Sequence, residues 1–480
     1  MNISTADLKL IKDFLKKEEK QVQNLDYFSL TTTSDLVFAQ KFIEIHGNKV
    51  RYCHPYKKWL IFNGKQWVID EEEKIHYLGL DVAKYYFELA QQQLKKETQD
   101  LNIVEKLGKI GIKLTNNRTI YQFVEAARRL PGVPIRPEEL DQDIYKLNTK
   151  NCTIDLRDGR SLIHDSRDLI TKMCNAEYRA NAQCPTWLKF LDRIMDGNKE
   201  LISYLQRVVG YSLTGDTSEH CLFMLYGTGR NGKSVFLNTI LYVLGDYGKQ
   251  AQPTILLERH NDNTSNDIAA IRGVRFAPTS EIAEGKNLAE AVVKQLTGGD
   301  EVVARFLYGE YFTFKPQAKI FLATNHKPII KGTDIAIWER IHLIPFTVFI
   351  PEGERDKHLA DKLKAEADGI LLWAVEGCLA WQREGLNPPD IVRQAVKSYR
   401  EEMDVLASFI NECCTIASYA KVQSGQLYEK YQAWCKENGE TPLNQRNFGL
   451  RLKERGFNNR RGTGGRTMWE GIGLKTQSPE

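Results

Sequence analysis

Gly227-Thr228-Gly229-Arg230-Asn231-Gly232-Lys233-Ser234 meets every fixed position of the pattern G-x-x-x-x-G-K-[ST]. Its flanks decide how it reads. Cys221-Leu222-Phe223-Met224-Leu225-Tyr226 precedes it, a continuous apolar run suited to a strand buried in a parallel sheet, and residues 235–244 have the character of a helix. Strand, glycine loop and helix in that order gather backbone N–H groups and a helix N-terminus around a phosphate chain. In such a loop Lys233 reaches the β and γ phosphates and the Ser234 hydroxyl ligates Mg²⁺. Residues Gly227 through Ser234, with Val235, are therefore expected to hold a nucleotide, with ATP and Mg²⁺ as cofactors. The bland alternative is a glycine-rich turn that matches by chance, and the strand and helix on either side argue against it.

The chain has 480 residues, enough for two to four domains. Its 66 basic and 62 acidic residues nearly cancel, to a net charge of +4, so any case for nucleic acid must come from local clusters. Nine cysteines occur without a C-x-x-C pair, which argues against a zinc site or a disulfide framework and for a reducing compartment. No apolar run approaches the ~20 residues of a membrane helix, and the first 20 residues lack a signal core. A soluble, cytoplasmic protein is expected.

Residues 1–35 contain one amphipathic helix candidate, with Leu8, Ile11, Phe14 and Leu15 on one face. Residues 36–185 mix strands and helices. Trp59-Leu60-Ile61-Phe62 and Gln66-Trp67-Val68-Ile69 flank Asn63-Gly64-Lys65 as in a hairpin, and 87–96 and 101–113 read as helices. From 186 to about 350, strand and helix candidates alternate around the glycine loop, the mark of an α/β unit. Residues 351–404 read as a helical connector. Residues 405–480 form a compact helical segment with a basic, glycine-rich end.

Three polar positions follow the loop at strand ends. Gly273-Val274-Arg275-Phe276-Ala277-Pro278-Thr279-Ser280-Glu281 is a strand ending in an acid, and Lys319-Ile320-Phe321-Leu322-Ala323-Thr324-Asn325 a strand ending in an amide. Arg340 stands just before Ile341-His342-Leu343-Ile344, another strand.

The order of loop, acid, amide and arginine resembles the superfamily 3 helicases, a branch of the AAA+ ATPases. More closely, the chain resembles the phage/plasmid primase-helicase family related to the poxvirus primase-helicase. The matching phrases are Val209-Gly210-Tyr211-Ser212-Leu213-Thr214-Gly215, Lys294-Gln295-Leu296-Thr297-Gly298-Gly299-Asp300, Ala323-Thr324-Asn325-His326-Lys327-Pro328 and Ile344-Pro345-Phe346. The resemblance runs from about residue 36 to the C-terminus. It implies a multi-domain α/β chain: an AAA+ core with a parallel sheet, preceded by a mixed α+β accessory domain and followed by helices and a winged helix. It also implies catalytic roles. Lys233 belongs to the loop, Glu281 is the acid that orients the lytic water and shares the metal with Ser234, Asn325 is the γ-phosphate sensor, and Arg340 is an arginine finger offered to a neighbouring subunit. Such a finger is worth ~10³–10⁵ in turnover. A homo-oligomeric ring, usually a hexamer, follows from that role.

Competing readings attach to each residue. Glu281 could be a surface acid, Asn325 a turn residue before Pro328, and Arg340 the partner of Glu339. The Glu281 strand carries Arg275 and Pro278, and proline suits a central strand poorly. Ser280 also stands where many such ATPases have a first acid, which leaves Asp267 as a substitute metal ligand.

Two stretches point to DNA. Val302-Val303-Ala304-Arg305-Phe306-Leu307-Tyr308 and Tyr311-Phe312-Thr313-Phe314-Lys315 flank Gly309-Glu310 as a hairpin. In the resembling helicases a hairpin at this place grips single-stranded DNA. By that resemblance Arg305, Tyr308 and Lys315 contact the strand, with Lys294 added, since cations meet phosphates and rings stack on bases. Arg305 could instead contact ATP across a subunit interface. Near the C-terminus, Arg451, Lys453, Arg455, Arg460, Arg461 and Arg466 crowd one stretch after two helical segments, 424–438 and 444–454. This reads as a winged helix that binds duplex or origin DNA, with Arg446 opening its recognition helix and Arg460, Arg461 and Arg466 on the wing.

The function expected is a replicative DNA helicase of a phage, plasmid or mobile element in a bacterial cytoplasm, working on single-stranded and forked DNA. A separate primase or polymerase is the expected partner, because about 35 residues ahead of the accessory domain leave no room for a primase module. The alternatives are an origin-binding initiator whose ATPase drives assembly, and a P-loop phosphotransferase.

Overall fold

The computed structural model describes residues 33–96, 100–258, 264–307, 309–332, 334–461 and 466–475. The amphipathic helix expected near the N-terminus lies outside them.

The first unit opens with the Asp35–His46 helix, whose first turn is capped by Ser34 accepting a hydrogen bond from the Val37 N–H. Strands β1 (Val50–Cys53), β2 (Lys58–Phe62) and β3 (Trp67–Ile69) follow as antiparallel neighbours. The expected β2–β3 hairpin is present. Asn63 Oδ1 accepts from the Lys65 and Gln66 N–H groups, and Gly64 takes φ +95°. Three helices, Lys74–Leu94, Leu101–Leu114 and Asn117–Ala127, enclose a core around Phe38, Phe42, Tyr86 and Phe123. Strand β4 (Pro134–Ile135) then adds to β1 in parallel.

Strands β5 (Lys146–Asn148), β6 (Thr153–Asp155) and β7 (Arg160–Leu162) form a separate antiparallel sheet. Leu147, Ile154 and Leu156 in and beside it share one core with Trp187, Leu191 and Phe236 of the next unit. This sheet therefore packs onto the α/β unit rather than onto the N-terminal helices.

The central unit starts with the Pro185–Ile194 and Lys199–Leu213 helices. Strands β8 (Leu222–Tyr226), β9 (Phe276–Thr279), β12 (Lys319–Thr324) and β13 (Ile341–Pro345) make a parallel sheet in the order β13-β8-β12-β9. The antiparallel pair β10 (Val302–Ala304) and β11 (Phe312–Phe314) stands apart from it. Alternation along the strands explains the continuous apolar runs. Phe223, Leu225, Phe321, Ala323 and Ile344 pack into one core, while Leu222, Met224, Ile320, Leu322 and Leu343 pack into another on the opposite face. Both faces of the sheet are covered.

Pro278 proves compatible with its strand. β9 is bonded to β12 on one side only, and the Pro278 carbonyl accepts from the Ala251 N–H on the other. In a parallel strand a residue's nitrogen and carbonyl face the same neighbour. The missing N–H thus falls on the outer side, and no β12 ladder bond is lost.

The Ala367–Glu384 helix lies tightly on the Lys199–Leu213 helix. A methyl group at Gly210 would stand 2.0 Å from the Cys378 nitrogen, and one at Gly377 would stand 2.1 Å from the Gln206 carbonyl oxygen. The Asp390–Met403 helix leads to the last unit. This consists of the Val405–Cys413 helix, β14 (Cys414–Gln423), the Ser424–Glu437 and Gln445–Glu454 helices, β15 (Asn458–Arg461) and β16 (Thr467–Leu474). The three strands form an antiparallel sheet in the order β14-β16-β15 over Phe409, Tyr431, Trp434, Phe448 and Trp469. The Val405–Cys413 helix agrees with the helical segment expected from residue 405 onward, whereas β14 departs from it. β14 carries an irregularity between Ile416 and Lys421 that breaks the alternation of a regular strand.

No helix among the described residues is long and apolar enough to cross a membrane.

Candidate functional site

The glycine loop occupies the turn between β8 and the Lys233–Leu244 helix, at the carboxyl edge of the parallel sheet. Its shape depends on residues that tolerate left-handed backbone: Gly229 has φ +98° and Gly232 φ +87°. Gly227 is required by space. A methyl group there would sit 2.2 Å from the Phe346 carbonyl oxygen and 2.3 Å from Asn231 Nδ2. Asn231 is buried and donates to that same carbonyl at 3.1 Å, and the Ile350 N–H donates to the Arg230 carbonyl at 2.9 Å. The segment just after β13 thus forms the floor of the loop. Thr228, Arg230 and Ser234 are exposed, and Val235 is half-buried at the start of the helix.

Lys233 is 4% exposed, and its ammonium is held inside this turn. Its Nζ donates to the Gly227 carbonyl at 2.6 Å, to Asn231 Oδ1 at 3.2 Å and to Asn325 Oδ1 at 3.0 Å. Asn325 follows directly on β12, the strand beside β8, and its Nδ2 donates to Glu281 Oε1 at 2.7 Å. Glu281 lies two residues past β9. The loop lysine and two residues expected at separate strand ends therefore meet in one hydrogen-bonded row, Lys233–Asn325–Glu281. Burial lowers the Lys233 pKa from its ordinary value, and the Glu281 carboxylate opposes that shift.

Contacts bear on two of the competing readings. Asn325 stands in the bend after β12, and its side chain is engaged by a lysine and an acid. Arg340 donates through Nε to Thr297 Oγ1 at 3.2 Å and through Nη1 to the Ala336 carbonyl at 2.6 Å, not to Glu339. Asp267 accepts from Thr254 Oγ1 at 2.9 Å. No group of three or more His, Cys, Asp or Glu side chains among the described residues forms a ready-made cation cage.

Arg340 does not join the row. It precedes Ile341, which pairs with Leu222 at the start of β8, whereas the loop follows Tyr226 at the end of β8. The five residues of β13 separate the two edges of the sheet, roughly 15 Å at strand rise.

The hairpin expected between 302 and 315 is present but shorter in its strands. Val302 pairs with Phe314, Val303 with Thr313 and Ala304 with Phe312, so pairing stops before Arg305. Beyond the ladder, the Gly309 N–H donates to the Phe306 carbonyl at 2.8 Å. Arg305 is exposed, with its guanidinium 4.8 Å from the centre of the Tyr311 ring. Phe306, Leu307 and Tyr311 are exposed beside it, whereas Phe312 packs partly into the core. Tyr308 lies outside the described residues. Lys315 is exposed at the hairpin root, and Lys294 is paired with Asp334.

Of the basic residues in the last unit, Arg446, Arg460, Arg461 and Arg466 are exposed. Arg446 opens the Gln445–Glu454 helix, and Arg460 and Arg461 lie on β15 opposite Met468 and Thr467. Arg451 and Arg455 are used within the chain. Arg451 donates to the Lys331 carbonyl at 3.0 Å, and Arg455 pairs with Asp404. Lys453, in the last turn of the same helix, is also exposed.

The architecture is that of a mixed α/β protein with a parallel sheet and many helices. The sequence carries a D5 N-terminal-like region at residues 39–196 and a poxvirus D5 protein-like region at residues 401–470, and residues 225–340 match a family of unknown function. Similar curated proteins carry helicase names. "Putative helicase L207/L206" of Acanthamoeba polyphaga mimivirus is 26% identical over 88% of this chain and 50% of its own length. "Putative helicase 022R" of Frog virus 3 is 25% identical over 49% of this chain and 26% of its own. "Putative helicase V13" of Sputnik virophage is 22% identical over 84% and 54%. The chain thus spans about half the length, or less, of these relatives, and all three are viral rather than from a phage or plasmid. Among solved structures, the apo C-terminal region of NrS-1 aligns with 92% of this chain and 100% of its own at a TM-score of 0.49 and 8% identity.

Proposed function

We propose that this chain is the motor of an ATP-driven DNA helicase of superfamily 3, with an AAA+ core, acting in genome replication of a virus or mobile element in the host cytoplasm. The observation that carries this reading is the Lys233–Asn325–Glu281 row at the carboxyl edge of the parallel sheet, beside a glycine loop that opens a helix. ATP and Mg²⁺ suit these residues. The space at Gly227 and Gly232 admits no side chain, the Lys233 ammonium is aimed along the loop, and the exposed Ser234 hydroxyl is free to face a cation. Bound magnesium would neutralise charge developing on the β and γ oxygens. Lys233 binds phosphate oxygens. Asn325 shifts from Lys233 toward the terminal phosphate, and Glu281 orients the attacking water.

Arg340, one strand-length from its own loop, is suited to a neighbour's site, which supports a ring with shared sites and a hexamer as its expected form. The hairpin grips single-stranded DNA through Arg305, exposed just past β10, and Lys315, exposed at the hairpin root, with Tyr308 as the third contact. The last unit, with three helices and a three-stranded sheet, acts as a winged helix that meets duplex DNA at a fork or origin. A separate primase or polymerase completes the machine.

The test is ATP hydrolysis with and without single-stranded DNA. Wild type should hydrolyse ATP and be stimulated by DNA, and Lys233→Ala should show neither activity. Hydrolysis indifferent to DNA would favour a phosphotransferase instead.

A further inference from the structure

The phrase Lys294-Gln295-Leu296-Thr297-Gly298-Gly299-Asp300 has a structural role that the site itself leaves unexplained. It forms the second half of the Glu290–Thr297 helix and the link from that helix toward β10, the first strand of the hairpin. Thr297 ends the helix and is 3% exposed. Its hydroxyl donates to the Val293 carbonyl at 2.7 Å and accepts from Arg340 Nε at 3.2 Å. Its own carbonyl is 2.8 Å from His220 Nδ1. Because a carbonyl can only accept, Nδ1 carries the proton there. His220 stands just ahead of β8, so one threonine touches the base of β8, the base of β13 and the root of the hairpin.

A second clamp lies one helical turn away. Lys294 pairs with Asp334, and Asp334 Oδ1 caps the Ile335–Arg340 helix by accepting from the Ala336 N–H at 3.0 Å. The Glu290–Thr297 and Ile335–Arg340 helices are therefore joined at both ends of their contact, by Lys294–Asp334 and by Thr297–Arg340. Displacing the hairpin pulls on Gly298 and Gly299, then on Thr297, and so on the guanidinium of Arg340.

We infer that Thr297 is a positioning residue that couples DNA engagement at the hairpin to the placement of Arg340. This rests on the reading of Arg340 as a residue serving a neighbouring ATP site. Thr297 touches no nucleotide in this scheme and acts only through the arginine it orients.

The test compares kcat and KM for ATP, with and without oligo-dT, in the full chain. Thr297→Val removes the hydroxyl and keeps the shape. It should cut the ratio of DNA-stimulated to unstimulated kcat by about tenfold, the size of one hydrogen bond to a charged group, with KM little changed. Thr297→Ser should restore the ratio, which a packing defect would not allow. In an Arg340→Ala background the Val change should add nothing. Should valine not be accommodated, Thr297→Ala reads the same way. The inference is overturned if Thr297→Val keeps wild-type stimulation while Arg340→Ala loses hydrolysis, or if the two changes are additive. If Arg340→Ala hydrolyses ATP normally, the reading beneath it fails first.

Discussion

Lys233 and Asn325 are joined by a hydrogen bond of 3.0 Å, and the same amide passes a second one of 2.7 Å to Glu281. The row sorts binding from hydrolysis. Lys233 also holds the loop through Gly227 and Asn231, so Lys233→Ala should abolish nucleotide binding. Asn325→Ala and Glu281→Gln leave the loop intact. Each should bind ATP within a few-fold of wild type yet lose about a hundredfold in kcat, the scale of removing one oriented polar group from a transition state. Fluorescent-nucleotide titration beside steady-state hydrolysis checks the split. Parallel loss of binding in all three would contradict it.

The hairpin supplies a second prediction. Arg305 is exposed where pairing ends, and Lys315 is exposed at the hairpin root. Arg305→Ala and Lys315→Ala should each weaken single-stranded DNA binding. Each should also flatten the slope of log affinity against log salt by about 0.7, one phosphate contact. Titrations at several salt concentrations measure this, and unchanged slopes would remove the hairpin from the DNA path.

Changing Arg460, Arg461 and Arg466 together to alanine should weaken duplex affinity and its salt dependence, with stimulation of ATPase by single-stranded DNA retained. The residues stand on or beside the exposed end of the β15–β16 pair, remote in sequence from the loop. Loss of stimulation in that variant would mean that this unit also serves the single strand.

Much of this arrangement was legible in the chain, for identifiable reasons. The buried strands β8, β12 and β13 are apolar on both faces, so they read as continuous runs ending at the loop, Asn325 and Pro345. Local pattern could not reveal the row itself, because Lys233 opens the helix after β8 while Asn325 and Glu281 follow β12 and β9, and the order of those strands is set by packing. The hairpin strands end sooner than their composition suggests: Arg305 and Phe306 suit a strand, yet pairing stops at Ala304 and Phe312. Arg451 and Arg455 looked like part of a DNA surface, and only tertiary contacts with Lys331 and Asp404 show that they are spent inside the chain.

A buried lysine beside the motor makes stability depend on pH. Lys319 is 2% exposed and donates to the carbonyls of Thr214, Asp216 and Gln317, next to buried Arg275. Burial, and then repulsion from Arg275, draw its pKa down to about 7. The unfolded side chain titrates near ~10.4. Between these values the unfolded chain binds the extra proton, so the Lys319 contribution rises with pH across that window and is lost as pH falls toward 7. The difference in unfolding free energy between wild type and Lys319→Met should therefore shift toward wild type from pH 7 to pH 9, by on the order of 2 kcal/mol. A pH-independent difference would show that the amine stays charged in the fold.

Strand displacement on a forked duplex, read with ATP for wild type and Lys233→Ala, tests the central claim most directly. Wild type should separate the strands only while ATP is hydrolysed, and Lys233→Ala should leave the fork intact. DNA-stimulated hydrolysis by wild type with no strand separation would contradict it, and would leave an ATP-switched, DNA-binding initiator in place of a helicase.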